Sequence, residues 1–310
     1  MKFRINVNIS ENKGFFNHQS NILTIGSCFA NHIYQRLDEQ GFEIQSNPFG
    51  ILFNPVSIEK NIRNSFLGNI NEVGIVERND LFFHYDCHSE IYTDSREGLI
   101  KQLSNIQEGF SVTFQGVNRL IITFGTAWVY RHLNTNQIVA NCHKMPQKEF
   151  KKELLDLDAL KTTYNRLLID LKNKNPKLEI LFTISPVRHI KNGVHENNLS
   201  KSILLLLVNA LVEQFEFAHY FPSYELVMDD LRDYRFFEAD LIHPNKQAVD
   251  YVFERFQVTY FDEKTAEIGS LAMKINQFEN HRTLHPTIVA EEKRKLKLGE
   301  MRAQLEKLKS

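Results

Sequence analysis

Short apolar runs that alternate with amphipathic helical stretches constrain this chain more than any other feature, because a parallel sheet covered on both faces has that rhythm in sequence. Runs at 22–25, 42–45, 119–124, 179–184 and 219–221 read as strands. Stretches at about 30–40, 147–174, 196–217 and 244–260 read as helices. Gly41 stands where the first helix must stop, a position that favours a residue able to turn left-handed. The expected fold class is therefore α/β, a doubly wound parallel sheet. With 310 residues and 42% hydrophobic positions, the chain can build one large core that carries insertions.

Three segments depart from the rhythm. Residues 54–116 suggest a helix near 57–67, paired short strands near 73–76 and 81–84, and a helix near 95–106, which together read as an inserted cap over one edge. Residues 127–142 suggest a hairpin turning at Asn134 to Asn136. The tail is dense in Glu, Lys and Arg, and Leu298, Met301, Leu305 and Leu308 recur at spacings of three and four, one apolar stripe on a charged helix. That stripe has three open fates: packing on the domain, pairing with a second copy in a homodimer, or standing as a solvated appendage. The expected organisation is an α/β domain over residues 1–262, with the insertion at about 54–116, and a helical extension over 263–310.

The charge balance, 37 basic against 38 acidic residues, argues against nucleic acid or an anionic membrane as partner. The longest apolar stretch, 203–208, falls far short of the roughly 18 residues that a spanning helix needs. Cys28, Cys87 and Cys142 cannot all pair with one another, and the start shows no basic-then-apolar leader, so the cytoplasm is the expected address.

Chemistry concentrates at two places. The segment 22–37 runs from an apolar strand through Gly26 to Ser27 and Cys28 at the first turn of a helix, where an α/β protein presents reactive side chains. A helix N-terminus favours an anion there, although most free cysteines are small core fillers. Far downstream, Asp240 and His243 precede Pro244, read as the first residue of the last helix. The carboxylate can bond one imidazole nitrogen and fix the tautomer. The alternative is a capping carboxylate beside a surface histidine.

An early strand-turn-helix nucleophile, a late Asp-x-x-His-Pro and a flavodoxin-like alternation between them resemble the plan of the SGNH/GDSL hydrolases, a three-layer α/β/α fold. Within that superfamily, Gly26-Ser27-Cys28-Phe29-Ala30 resembles the motif that names the GSCFA domain family, a branch without a well-defined activity. Asn47-Pro48-Phe49-Gly50, Phe124-Gly125-Thr126-Ala127-Trp128, Asn141-Cys142-His143-Lys144, Ser185-Pro186-Val187-Arg188-His189 and the closing Asp240 to Asn245 fit the same family, over roughly residues 15–260.

The resemblance implies that Cys28 is the nucleophile by register, with Ser27 the alternative if the turn is one residue tighter. It implies that His243 is the general base and Asp240 its orienting acid. The superfamily's Gly-x-Asn-Asp block is replaced here by Gly125-Thr126-Ala127-Trp128, which removes one expected oxyanion donor. Loss of such a donor costs about 2.7 to 4 kcal/mol in the transition state. Asn47, the amides of Gly50 and Cys28, Gly125, Thr126 and Asn141 are the candidate replacements. His143 and Lys144 are candidates for a polar pocket wall. Arg188 is placed to grip a substrate carboxylate or phosphate, unless it pairs with Glu196 or Asp240.

A cysteine nucleophile forms a thioester with acyl groups, so small-molecule esters or thioesters are the expected substrates and no cofactor is required. The helix N-terminus together with His243 is expected to lower the Cys28 pKa. Metal ligation is the rival chemistry. The Cys87-His88 and Cys142-His143 pairs lack the spacing that closes a zinc site, so no metal is expected. Hydrolysis is the default reaction. Transfer of an acyl group to a carbohydrate or alcohol, with the 54–116 insertion forming the acceptor groove, and a catalytically silent binding module are the alternatives.

Overall fold

The structure, a computed structural model, describes residues 4–280 and 287–309. Strand β1 (Asn21–Gly26) leads through α1 (Cys28–Glu39) to β2 (Glu43–Ser46), and α2 (Pro55–Leu67) follows. Next come β3 (Ile75–Arg78), β4 (Leu81–His84), β5 (Tyr92–Thr93) and α3 (Arg96–Gly116), then β6 (Arg119–Phe124). A second departure holds β7 (Trp128–His132), β8 (Gln137–Val139) and β9 (Phe150–Leu154) before α4 (Leu157–Lys174) and β10 (Glu179–Ile184). The chain ends through α5 (Val194–Gln214), β11 (Ala218–Phe221), α6 (Ser223–Glu225, continuing as a π-helical turn Leu226–Leu231), α7 (Lys246–Tyr260), α8 (Glu263–Asn280) and α9 (Ile288–Lys309).

The central sheet is parallel throughout, in the order β11-β10-β6-β1-β2. Counted along the chain this is the 2-1-3-4-5 order of doubly wound sheets, and its topological switch point lies between β1 and β6. The period of two explains the three layers. Leu23, Ile25, Leu120, Ile122, Phe124, Ile180 and Phe182 face one way and pack on α2, α3, α4 and α5, while Ile22, Ile121, Leu181 and Phe221 face α1 and α7. Both faces are covered, so the strands read as continuous apolar runs.

The 54–116 stretch divides between roles. Ile58 and Ile62 of α2 and Phe110 and Phe114 of α3 are buried in the main core, so both helices belong to the layer that covers the sheet. Between them stands a separate antiparallel sheet, β3-β4-β5. The helix expected over 147–174 begins only at 157. Residues 150–154 instead pair with β7 in the order β8-β7-β9, and Asp156 caps α4 by accepting from the Ala159 amide at 2.8 Å. Pro244 lies outside α7. Asn245 is the cap and accepts from the Ala248 amide, while Pro244 bridges to Phe237.

Helix α8 lies against the domain: Ile268, Ala272 and Ile275 are buried, and Asn276 donates to the Glu39 carbonyl at 2.8 Å. Along α9, Leu298, Met301, Leu305 and Leu308 are half-buried, and Arg302 pairs with Glu279 of α8. No described helix is long and apolar enough to cross a membrane.

Candidate functional site at the carboxyl edge of the sheet

Gly26 ends β1 with φ at +142°, and a Cβ there would stand 2.1 Å from the Thr123 carbonyl oxygen. Only glycine fits, because β1 and β6 close up where Gly26 sits opposite Thr123. The Asn47 side chain buttresses the turn. Its carbonyl oxygen accepts from the Gly26 amide at 2.8 Å, and its amide nitrogen donates to Asn31 at 2.7 Å. The chain then enters α1 with Ser27 as the cap residue and Cys28 as the first helical residue.

These neighbours face different surroundings. Ser27 is 1% exposed, its hydroxyl makes no cap hydrogen bond, and it has no partner among the described residues. Cys28 is partly exposed. Burial pushes the Cys28 thiol above its ordinary pKa, while the Phe29 amide, its own amide and Lys201 pull the other way. This corrects the expected lowering by the helix N-terminus and His243: desolvation outweighs the amides, and His243 is not among the groups that act on the thiol.

The Asp240–His243 pair lies on the loop before α7. Asp240 accepts from the amides of Ile242 and His243 at 2.9 and 3.0 Å, and its second oxygen accepts from His243 Nδ1 at 2.6 Å. The His243 amide first, and the imidazole after it, hold the Asp240 carboxyl down to about 2. Donation from Nδ1 leaves Nε2 of the neutral ring as the acceptor. Both side chains are about half exposed, 50% for His243 and 46% for Asp240. Neither Ser27 nor Cys28 hydrogen-bonds His243 among the described residues.

Electrostatics ties the two halves together through residues between them. His243 acts on His189, which follows β10, and on His32, on α1. Burial first, then Lys201 and His243, lower His189 to about 4. His189 thus stands within reach of the fields of Lys201 and His243, at the carboxyl edge of a parallel sheet.

The expected oxyanion donors are largely engaged in the fold. The Gly50 amide donates to the Asn47 carbonyl at 2.8 Å, and the amides of Gly125 and Thr126 both donate to the Phe53 carbonyl. The Thr126 hydroxyl bonds Ser200 at 3.0 Å and accepts from the Trp128 amide. Asn141 accepts from the His143 amide at 2.8 Å. His143 is 2% exposed, stacks on Phe83, donates from Nε2 to the His84 carbonyl and accepts at Nδ1 from Ser89. Burial drives it down to about 4. With both nitrogens engaged, His143 is a core imidazole of the added sheets and not a pocket wall. The indole of Trp128 donates to the Glu196 carbonyl at 2.9 Å.

Arg188 lines a cavity of about 510 Å³ together with Lys201, Tyr224, Met228, Phe237 and Leu241. Its Nε contacts Met228 Sδ at 3.3 Å, and no carboxylate pairs with it among the described residues, neither Glu196 nor Asp240. Lys201 is the site residue that sequence reasoning missed. It lies on the buried stripe of α5 with Asn197, Ser200, Leu204 and Val208, and a lysine at core spacing was the available signal. Among the described residues, no three His, Cys, Asp or Glu side chains cluster as metal ligands would.

The model of one protein family, the GSCFA family, matches residues 21–256. That span runs from β1 into α7 and contains Cys28, Asp240 and His243. No curated protein matches the chain.

Proposed function

The chain belongs to the GSCFA family, and on that premise we propose that it is an acyl-chemistry enzyme of SGNH-like plan that hydrolyses small-molecule esters or thioesters. The observation that carries the proposal is the 2.6 Å bond from His243 Nδ1 to Asp240. It leaves Nε2 as a base on the same edge where β1 delivers Cys28, beside the switch point at which doubly wound folds take their ligands.

In this mechanism Cys28 Sγ attacks the acyl carbonyl, and the carbonyl electron pair moves to oxygen. His243 Nε2 takes the thiol proton once the 232–245 loop brings it to Sγ, then returns that proton to the leaving alcohol or thiol. Water, deprotonated by the same imidazole, hydrolyses the thioester and restores the thiol. The Cys28 amide, at the first turn of α1, is the oxyanion donor. The cavity of about 510 Å³ is lined by Arg188 and Lys201 and not by Cys28 or His243, so in this proposal it receives a part of the substrate remote from the acyl carbon, with the Arg188 guanidinium available to a carboxylate or phosphate there.

Short-chain aryl esters and acyl thioesters, offered to wild type and to Cys28→Ala, Ser27→Ala and His243→Ala, test the proposal. Turnover is expected in wild type and Ser27→Ala and lost in the other two. Equal rates in all four would sink it. An alcohol or sugar acceptor that diverts product from free acid to acyl ester turns the same residues to transfer.

A further inference from the structure

The cavity that Arg188 lines has one wall from α5 and another from the chain after β11. Asn198, Lys201, Ser202 and Leu205 stand at positions i, i+3, i+4 and i+7 of α5, so a single face of that helix borders the space. Tyr224 and Met228 border it where α6 passes into the π-helical turn Leu226–Leu231, a departure from α-helix that occurs frequently at functional sites. Its volume of about 510 Å³ is that of a small-molecule site.

Two cations at this cavity have no carboxylate among the described residues. Lys201 is 2% exposed, and its ammonium donates to the Gly125 carbonyl at 2.7 Å and the Ser185 carbonyl at 2.6 Å. Arg188 is half-buried, and its one side-chain hydrogen bond among the described residues runs from Nε to Met228 Sδ at 3.3 Å. A thioether is a weak acceptor, and the two terminal nitrogens of the guanidinium fork stay uncommitted. Arg36, Arg63 and Arg131, also half-buried, each hold a carboxylate. Arg232, Asp229 and Asp233 line the cavity as well, but all three are exposed, and Asp233 pairs with Arg235. Two cations withdrawn from water beside one space without an anion are costly, and a planar fork matches a carboxylate or phosphate.

The same space has apolar surface. Tyr234 and Leu241, both exposed, line it together with the Phe237 ring, so an occupant with a flat apolar body would cover them. Leu241 lies two residues before His243, so that occupant would touch the loop that carries the imidazole.

We propose that this cavity is a recognition site for an organic oxyanion, a carboxylate or phosphate on an aromatic or other apolar body, and that Arg188 sets its specificity. The proposal rests on the reading above only in taking the bound molecule as part of the substrate; the binding itself does not depend on acyl chemistry.

The Met228 methyl resonance, assigned by its loss in Met228→Leu, reads binding as naphthoate, naphthyl phosphate or the neutral naphthamide is added to the full chain. Either anion is expected to shift that resonance saturably, and the tighter of the two identifies the charged group. The amide keeps the shape without the charge and should bind at least about tenfold more weakly. Equal affinity for anion and amide, or no saturable shift with either anion, overturns the proposal, and both comparisons use wild type alone. In Arg188→Gln the anions should bind about tenfold more weakly or worse, with Arg188→Lys between, because it keeps the charge and loses the fork. Unchanged anion binding in Arg188→Gln overturns the role of Arg188. Anion binding without ester turnover would reject the acyl chemistry and leave the site standing, whereas turnover without anion binding would reject the site alone.

Discussion

The end of β1 and the 232–245 loop carry the two halves of one candidate site, and they are built in opposite ways. At the end of β1 the backbone groups are bound, while the buried Ser27 hydroxyl has no partner among the described residues. The Gly26 amide goes to Asn47, the Gly26 carbonyl accepts from Leu52 at 2.9 Å, and the Ser27 amide donates to Thr123 at 3.0 Å. The loop instead exposes its functional pair and holds two non-glycine residues in the left-handed region, Arg232 at φ 37° and Leu241 at φ 60°. Such residues cost about 1–2 kcal/mol each and mark places where the backbone is held against its preference. The contrast sets a tightly bonded turn at Cys28 against an exposed loop at His243, and in the mechanism proposed above any approach of the two falls to the loop.

The largest expected effect is at the rigid half. Gly26→Ala sets a Cβ against the Thr123 carbonyl and should cost about 3 kcal/mol or more in urea unfolding. Leu241→Gly, in the loop, should stay within about 1 kcal/mol of wild type. Comparable costs at the two positions would erase the distinction.

Burial also gives one imidazole a pH signature. His143 stays neutral in the fold down to about 4, whereas its ordinary value is 6.5. Between those pH values the unfolded chain binds the extra proton, so stability should fall as pH drops from about 6.5 to about 4, by on the order of 2 kcal/mol for this residue. His143→Phe should make that limb shallower, leaving the part that His189, also lowered to about 4 by burial, contributes. Chemical unfolding at a series of pH values checks this.

Asn47→Ala strips the Gly26 amide and Asn31 of their partner and should cost about 2 kcal/mol. Its alkylation profile at Cys28 reports whether the turn has loosened. Smallest in stability is Asp240→Asn, which should leave the unfolding midpoint in place because the pair is exposed. Turnover should nevertheless fall at least about 100-fold, since the imidazole loses its anchored tautomer. A large stability loss there would mean that the pair is architectural.

Much of this was legible in sequence because it is local. The strands are continuous apolar runs, and the Gly26 turn and the Asp240-x-x-His243 spacing lie within a few residues of themselves. What escaped depends on distant partners. Residues 150–154 read as the approach to a helix and become β9 only because β7 offers an edge. Asn47, Gly50 and Gly125 looked like free donors, but Asn31, Asn47 and Phe53 occupy them. His143 looked like a pocket wall until His84 and Ser89 took both its nitrogens. Lys201 was visible only as a misfit on an apolar stripe, because its meaning comes from two carbonyls just past the ends of β6 and β10. The Cys28 thiol moved opposite to expectation, since burial is a property of the packed molecule.

The central claim, that Cys28 forms an acyl bond, is tested most directly by brief exposure to an activated aryl acetate followed by peptide mapping in wild type and in His243→Ala. An acetyl group on Cys28 in wild type, absent or strongly reduced in His243→Ala, is the predicted result. Acetyl on Ser27, or none on either residue in wild type, would contradict it.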